Sequence, residues 1–357
     1  MAHHIFLVHG MGNFEDGWSK AGEPSVQDGI RALFQQYTGT ADLVGDFEIH
    51  ELNYNQVFEA WRKRWAELAK DAAAAAQALK ITTGFAKNLI KLADAATGDN
   101  FLRTHILDVA LYRFARPVTE EVMTLVQDQI GRVFEEPAKK GEPIEYTVIA
   151  HSLGTLVAYE AFHAMMTDSS PLPPSARPNN VFMVANVVAA LWQRGPNIYV
   201  PAMAPNLKLS EGWCFRLTNV GHRLDPVARL RPFDPPDAWF QPGKKDKTYL
   251  DVWLQEDDVL SENIHSLTHY LSHPRVHVPL LRQLTHPSLI SDEEEEEAIA
   301  EWEQLGDDVV KQKVQDALGG LLLKLDPDLM NQLALWKSLR ELLLKSNDPN
   351  PDGERQS

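Results

Sequence analysis

Residues 145–165, Glu-Tyr-Thr-Val-Ile-Ala-His-Ser-Leu-Gly-Thr-Leu-Val-Ala-Tyr-Glu-Ala-Phe-His-Ala-Met, constrain the fold more tightly than any other stretch of the chain. Tyr146 to Ala150 is rich in β-formers and reads as a short buried strand. From Gly154 onward a helix is predicted, because Leu153, Leu156, Val157, Ala161 and Met165 recur at helical spacing. The join is Ala150-His151-Ser152-Leu153-Gly154, small-x-Ser-x-Gly. A turn this sharp needs small residues on both sides of the serine, so that strand and helix approach closely, and it lifts the hydroxyl above the sheet. It also aims the Leu153 amide into the positive end of a helix, where an anion is stabilised. A serine N-cap on an ordinary strand–helix turn is the plainer alternative.

A second strand supports the first. Ile5 to Val8 is apolar and runs into His9-Gly10-Met11-Gly12. Glycine lets a backbone approach another group with no Cβ in the way. Beside the Ser152 elbow, the amides of Met11 and Leu153 are the candidate donors to an oxyanion. Val26, Ile30, Leu33 and Phe34 then mark a helix within Pro24–Tyr37, and alternation marks a strand over Phe47–Tyr54.

Residues 56–116 hold more helix than one crossover between parallel strands requires. Phe58, Trp61, Trp65 and Leu68 start it, an alanine run at 72–76 continues it, and apolar spacing marks two further helices before Pro117. An inserted helical cap, which would exclude water and line an apolar pocket, is favoured over a helical layer packed elsewhere. Val118, Val122, Leu125, Val126, Ile130 and Val133 define the helix before the elbow strand.

Beyond the elbow helix, strands are predicted at Val181–Asn186, Trp213–Asn219 and Lys247–Leu254. Ligands gather at the carboxyl ends of such strands, which puts Trp192 and Tyr199 on the ligand-bearing side, as contacts or as packing. Asp225 follows a strand and precedes Pro226, where an acid oriented toward a base belongs; Asp234 and Asp237 are reserves. His265, His269, His273 and His277 recur every fourth residue. A metal comb is disfavoured, because Pro274 breaks the helix and no companion ligand accompanies them. One of these histidines is instead expected to be the general base; His269 is preferred, with His265 the alternative. The chain order Ser152, Asp225, His269 is then nucleophile, acid, base.

Composition narrows the partners. The chain has 357 residues, 44% hydrophobic, with a net charge of −16 and one cysteine, Cys214. It can build a substantial core and no internal disulfide. Its acidity argues against nucleic acid or an anionic membrane as the main partner. The start has no secretory-signal pattern and no stretch is long enough to span a bilayer, so a cytoplasmic protein is expected. After Leu284 the regime changes. Asp292 to Glu297 is a run of six acids, a solvated helix end or linker, and Leu-rich helices follow at Val309–Leu325 and Leu329–Leu344, suited to pack on the domain or on a second copy as a homo-oligomer contact.

Phe6-Leu-Val-His-Gly-Met-Gly12 together with Ala150-His-Ser-Leu-Gly154 resembles the α/β-hydrolase superfamily in its bacterial lipase/esterase branch. Alanine at the first small position is similar to the elbow of small Bacillus-type lipases. The resemblance covers residues 1–285. It implies a mostly parallel central sheet flanked by helices, a serine-ester mechanism on a small-molecule or lipid ester, and no cofactor or metal. The chain begins at the oxyanion strand, so the two leading antiparallel strands of the full fold are expected to be missing. The cap and the acidic linker with its C-terminal helical extension, 286–357, match no part of the pattern. The cap's apolar residues favour medium-to-long acyl chains. A peptidase, thioesterase or acyltransferase would use the same three residues, and a non-catalytic binding protein could keep the same scaffold.

Overall fold

The computed structural model describes residues 3–64, 67, 109, 112–113, 115–167, 176–192, 194, 197–261 and 263–305. Six strands form one sheet: β1 (His3–Val8), β2 (Phe47–Leu52), β3 (Tyr146–His151), β4 (Asn180–Val184), β5 (Arg216–His222) and β6 (Tyr249–Leu254). Their order is β2-β1-β3-β4-β5-β6, and every neighbouring pair is parallel. Parallel strands buried on both faces read as continuous apolar runs. Tyr146 to Ala150 and the whole of β4 are buried in this way. The α/β class expected from the alternation of strand and helix patterns is the class observed.

Helices cover both faces. The main ones are α1 (Val26–Gln35), α2 (Arg116–Lys140), α3 (Leu153–Thr167), α4 (Leu267–Ser272), α5 (Pro274–Leu284) and α6 (Asp292–Gln304). On one face Ile5, Leu7, Ile149 and Phe182 pack with Ile30, Leu33 and Phe34 of α1, Tyr270 of α4, and Val276 and Leu280 of α5. On the other, Phe134 of α2 lies edge-on to Phe6 of β1 at 5.5 Å and beside Tyr146 of β3. α3 packs on α2, β1 and β3. It is apolar almost all round because it is enclosed almost all round, from Leu153 to Phe162.

The helix ends follow local chemistry. Ser25 caps α1 by accepting from the Asp28 amide. Pro117 stands in the first turn of α2, and Gly141, at φ 66°, ends it in the left-handed region that glycine occupies most easily. Ser291 and Glu294 form a reciprocal capping box on α6.

Most boundaries shift by a residue or two from the sequence reading, and three differences bear on the site or the extent of the domain. β5 runs from Arg216 to His222, three residues further along than expected, so Asp225 stands just past its end. Gly221 permits this: a Cβ there would meet the Trp253 ring at 2.7 Å. β6 begins at Tyr249, since Lys245–Thr248 forms a helical turn with the Thr248 hydroxyl on the Lys244 carbonyl. Of the two readings of the acidic run, helix end and linker, the structure has the helix end. Its residues open α6, near whose N-terminus negative charge is favoured. Arg282 of α5 bonds the Ile290 and Ser291 carbonyls and the carboxylates of Asp292 and Glu295, and buried Trp302 lies 4.2 Å from the His273 ring. The domain therefore continues past residue 285 through α6.

The expected cap falls almost entirely outside the described residues, as do the Leu-rich helices beyond residue 305. Of the 56–116 stretch, residues 55–64 are helical, with Val57 and Phe58 buried. At its far end buried Tyr112 donates to Glu160 of α3, so both ends are anchored on the α2–α3 face. Among the described residues, no helix is long and apolar enough to cross a membrane.

Candidate active site

In the strand order, the chain leaves β1 for β2 on one side and returns to β3 on the other. Such a switch point opens a crevice beyond the carboxyl ends of the two strands. His9-Gly10-Met11-Gly12 leaves β1 there, and Ser152 leaves β3 there.

Ser152 has φ 53°, a left-handed conformation that a non-glycine residue adopts only when its surroundings hold it there. The hold is visible. The Ser152 amide donates to the Val184 carbonyl at 2.9 Å, and its carbonyl accepts from the Thr155 amide and hydroxyl. The same hydroxyl accepts from the Val187 amide, tying the turn to the end of β4. Gly154 must be glycine, since a Cβ there would stand 2.3 Å from the His9 carbonyl and 2.6 Å from that of Val8. A Cβ on Gly10 would lie 2.8 Å from that of Ser152. The two strand ends thus touch through missing side chains. Gly10→Ala is expected to displace the serine by several tenths of an ångström and to lower turnover about 100-fold with little loss of fold, read as kcat beside a thermal melt.

The β1 loop is equally fixed. The His9 ring is stacked between Phe14 at 4.3 Å and Tyr54 at 4.1 Å. Its Nδ1 donates to the Gly10 carbonyl, which also accepts from the Tyr54 hydroxyl. In a trans peptide N–H and C=O point oppositely. Pinning the Gly10 carbonyl on Tyr54 therefore turns the Met11 amide the other way, and among the described residues that amide has no acceptor. Leu153, the first residue of α3, has no intrahelical acceptor for its own amide. Glu51 braces the loop by accepting from the Gly17 and Ser19 amides and the Ser19 hydroxyl.

Ser152 Oγ lies 2.9 Å from Nε2 of His265, and His265 Nδ1 lies 2.7 Å from Asp225 Oδ2. The carboxylate can only accept, so the ring proton sits on Nδ1 and the serine hydroxyl donates to Nε2. Asp225 is fully buried. Its Oδ1 accepts from the Val227 amide, and its Oδ2 also accepts from the Tyr270 hydroxyl at 2.7 Å. Burial pushes this carboxyl up, but His265, Tyr270 and the Val227 amide together hold it below the usual carboxylate range. Ser152 is itself 1% exposed, while the His265 side chain is 29% exposed, so the imidazole marks the solvent side of the site.

His269, the preferred base in the sequence reading, does not reach the serine. Ser266 caps α4, which begins at Leu267. His265 precedes the cap on a loop, whereas His269 lies inside the helix with its ring buried 5.6 Å from that of His222. Four-residue spacing aligns side chains only where both belong to one helix. The same break separates the other two histidines. His273 caps α5 by accepting from the Arg275 amide, and His277 lies between the Tyr37 hydroxyl and the Leu271 carbonyl. The four do not converge. Asp234 and Asp237 are exposed and away from any imidazole partner. Trp192 packs edge-on to Tyr159, and Tyr199 packs against Phe233 and Trp239 while its hydroxyl accepts from the Asp234 amide. Cys214 is buried, which raises its thiol pKa and matches packing.

Two further residues complete the arrangement. His151 is neutral, because burial, then the neighbouring His265, depress it to about 3. Its Nε2 donates to the His265 carbonyl at 2.6 Å, fixing the loop that carries the imidazole. Tyr270 fixes the carboxylate. Its value as a positioning residue predicts that Tyr270→Phe costs about 1–3 kcal/mol of stability and several-fold in kcat, with KM little changed, measured by denaturant melts and steady-state kinetics.

Comparison with protein-family models, with curated proteins and with solved structures finds no significant match.

Proposed function

We propose that this protein is a serine hydrolase that cleaves carboxylic esters through an acyl-enzyme. The observation that carries the reading is the unbroken hydrogen-bonded line Ser152 Oγ–His265–Asp225, with the serine held at φ 53° on a strand–helix turn. A serine N-cap needs neither the imidazole nor the strained backbone.

The chemistry follows from the geometry. His265 Nε2 takes the serine proton as Oγ attacks the ester carbonyl. Asp225 keeps the ring in the tautomer that leaves Nε2 free, and stabilises the imidazolium that forms. The Met11 and Leu153 amides receive the developing oxyanion, each contributing about 3 kcal/mol in the transition state. The imidazolium returns the proton to the departing alcohol. Water then attacks the acyl-serine with His265 again as base, releasing the acid. An all-parallel sheet with serine after β3, acid after β5 and imidazole after β6 supports the resemblance to the α/β-hydrolase superfamily. A helical cap over the site and a preference for apolar acyl groups belong to the same proposal.

The test is labelling by a fluorophosphonate probe. Wild-type protein is expected to label stoichiometrically and Ser152→Ala not at all. A folded wild type that stays unlabelled overturns the proposal and favours a binding protein on this scaffold. A panel of p-nitrophenyl esters of rising chain length, beside thioester and peptide substrates, then fixes the class. A rate profile peaking at acetate would refute the apolar-acyl preference.

A further inference from the structure

A second cluster lies at the other end of β1. His4 on β1 pairs in register with Glu48 on β2, and His50 is two residues further along β2. All three therefore project from the same sheet face. His4 Nδ1 lies 3.0 Å from His50 Nε2 and 3.5 Å from Glu48 Oε2, and His50 Nε2 lies 3.7 Å from Glu48 Oε2.

We propose that His4, Glu48 and His50 form a zinc-type divalent metal site that ties edge strand β2 to β1. The distances carry the argument. In a tetrahedral site with zinc–ligand bonds of about 2.0–2.1 Å, ligand atoms stand about 3.3 Å apart. The three observed separations bracket that value. A metal raised off the plane of the three atoms, as a tetrahedron requires, lies about 2.1 Å from each, within the range of the bond. The three atoms thus outline one face of a coordination tetrahedron, and water would take the fourth position. Two imidazoles and one carboxylate are a borderline-soft set that suits zinc, and not magnesium or calcium.

The surroundings prepare the ligands. His4 packs edge-on to Phe134, and His50 stacks on Phe6 at 5.2 Å, so both rings are held in place. In the metal-free protein, one proton must lie between two facing ring nitrogens. Metal entry moves that proton to the far nitrogen of its own ring, with no net release, and widens the 3.0 Å gap by a few tenths of an ångström. Glu48 is more than half exposed, which leaves an entry path.

The site is separate from the proposed chemistry. Six residues of extended strand, about 20 Å, separate His4 from Gly10. Its role is structural: β2 is an edge strand with only β1 beside it.

Calorimetric titration of the full-length, chelator-stripped protein with zinc chloride is the test, with cobalt chloride as a spectroscopic probe. One zinc per chain is expected, with visible cobalt bands of tetrahedral intensity and a melting temperature raised by a few degrees. Glu48→Gln, at an exposed position that leaves the fold intact, should weaken binding at least 10-fold, and His50→Ala should abolish it. Ser152→Ala should bind zinc as wild type does, and chelation should leave probe labelling of Ser152 unchanged. Absence of zinc binding, or binding that survives Glu48→Gln and His50→Ala undiminished, overturns the site and leaves a His4–His50 hydrogen bond as the whole of its chemistry.

Discussion

Replacing His265 by alanine is expected to lower kcat/KM for a reactive ester by about 10⁴-fold or more, while His269→Gln leaves it within a few-fold of wild type. The first number follows from what His265 alone does. Among the described residues it is the only imidazole hydrogen-bonded to both Ser152 and Asp225, at 2.9 and 2.7 Å. Without it the hydroxyl has no acceptor for its proton, and an alcohol is a weak nucleophile at neutral pH. What remains is the contribution of the two amides and of substrate binding. The second number follows from where His269 lies: its ring is buried beside His222 and bonds neither Ser152 nor Asp225. Its loss is a packing defect of about 1–3 kcal/mol, visible in a melt and absent from turnover below the transition. Esterase kinetics on both variants, normalised to folded protein, decide the matter. Equal losses in the two, or a loss confined to His269, would overturn the assignment.

That pair of variants also marks where the sequence stopped being legible. The elbow was readable because its constraint is local. Gly154 and the small Ala150 answer contacts a few ångströms away, such as the 2.3 Å approach of a Gly154 Cβ to His9, and these leave their mark in one short motif. The sheet was readable because strands buried on both faces must be apolar throughout, as β3 and β4 are. Asp225 was readable because it follows a strand and precedes proline. The base was not. His265 and His269 differ by a single cap residue, Ser266, that places one on a loop and the other in a helix, and periodicity averages over such a step. Tyr270 and His151 were equally hidden as positioning residues. Each acts on a group 45 or 114 residues away, and nothing local in the sequence encodes that reach. The docking of the acidic run was hidden as well. Its composition suits a solvated linker, but Arg282 and Trp302 dock it, and docking is a tertiary fact.

Acidification is expected to destabilise the domain steadily from about pH 6 downward, starting before most carboxylates take up protons. Burial, before any other influence, depresses His3, His9, His269 and His277 to about 4 and His151 to about 3. The hydrogen bonds give an independent reason. His277 Nδ1 donates to the Leu271 carbonyl, so its Nε2 must accept from the Tyr37 hydroxyl. His222 Nε2 donates to the Asp258 carbonyl while its Nδ1 accepts from the Leu224 amide. A proton added to His222 sets donor against donor, and one added to His277 forces the Tyr37 hydroxyl to turn and accept. The sign follows from linkage. In the unfolded chain these imidazoles titrate near 6.5, so below that pH the unfolded state binds more protons and stability falls with falling pH. The fall continues until the folded-state values near 4 are reached. At pH 5 each such group costs about 2 kcal/mol, and a domain's entire stability is about 5–15 kcal/mol, so three or four suffice. Asp225 runs the other way: its carboxyl is depressed, so its contribution is intact above the unfolded value near 4 and is lost only below it. The two sets therefore separate on the pH axis. Urea midpoints measured at intervals from pH 7 to pH 4.5 should drop steeply, with net uptake of several protons on unfolding, and His277→Gln should make the slope shallower by about one proton. A midpoint that stays level from pH 7 to pH 5 would mean that these rings accept protons without leaving their pockets.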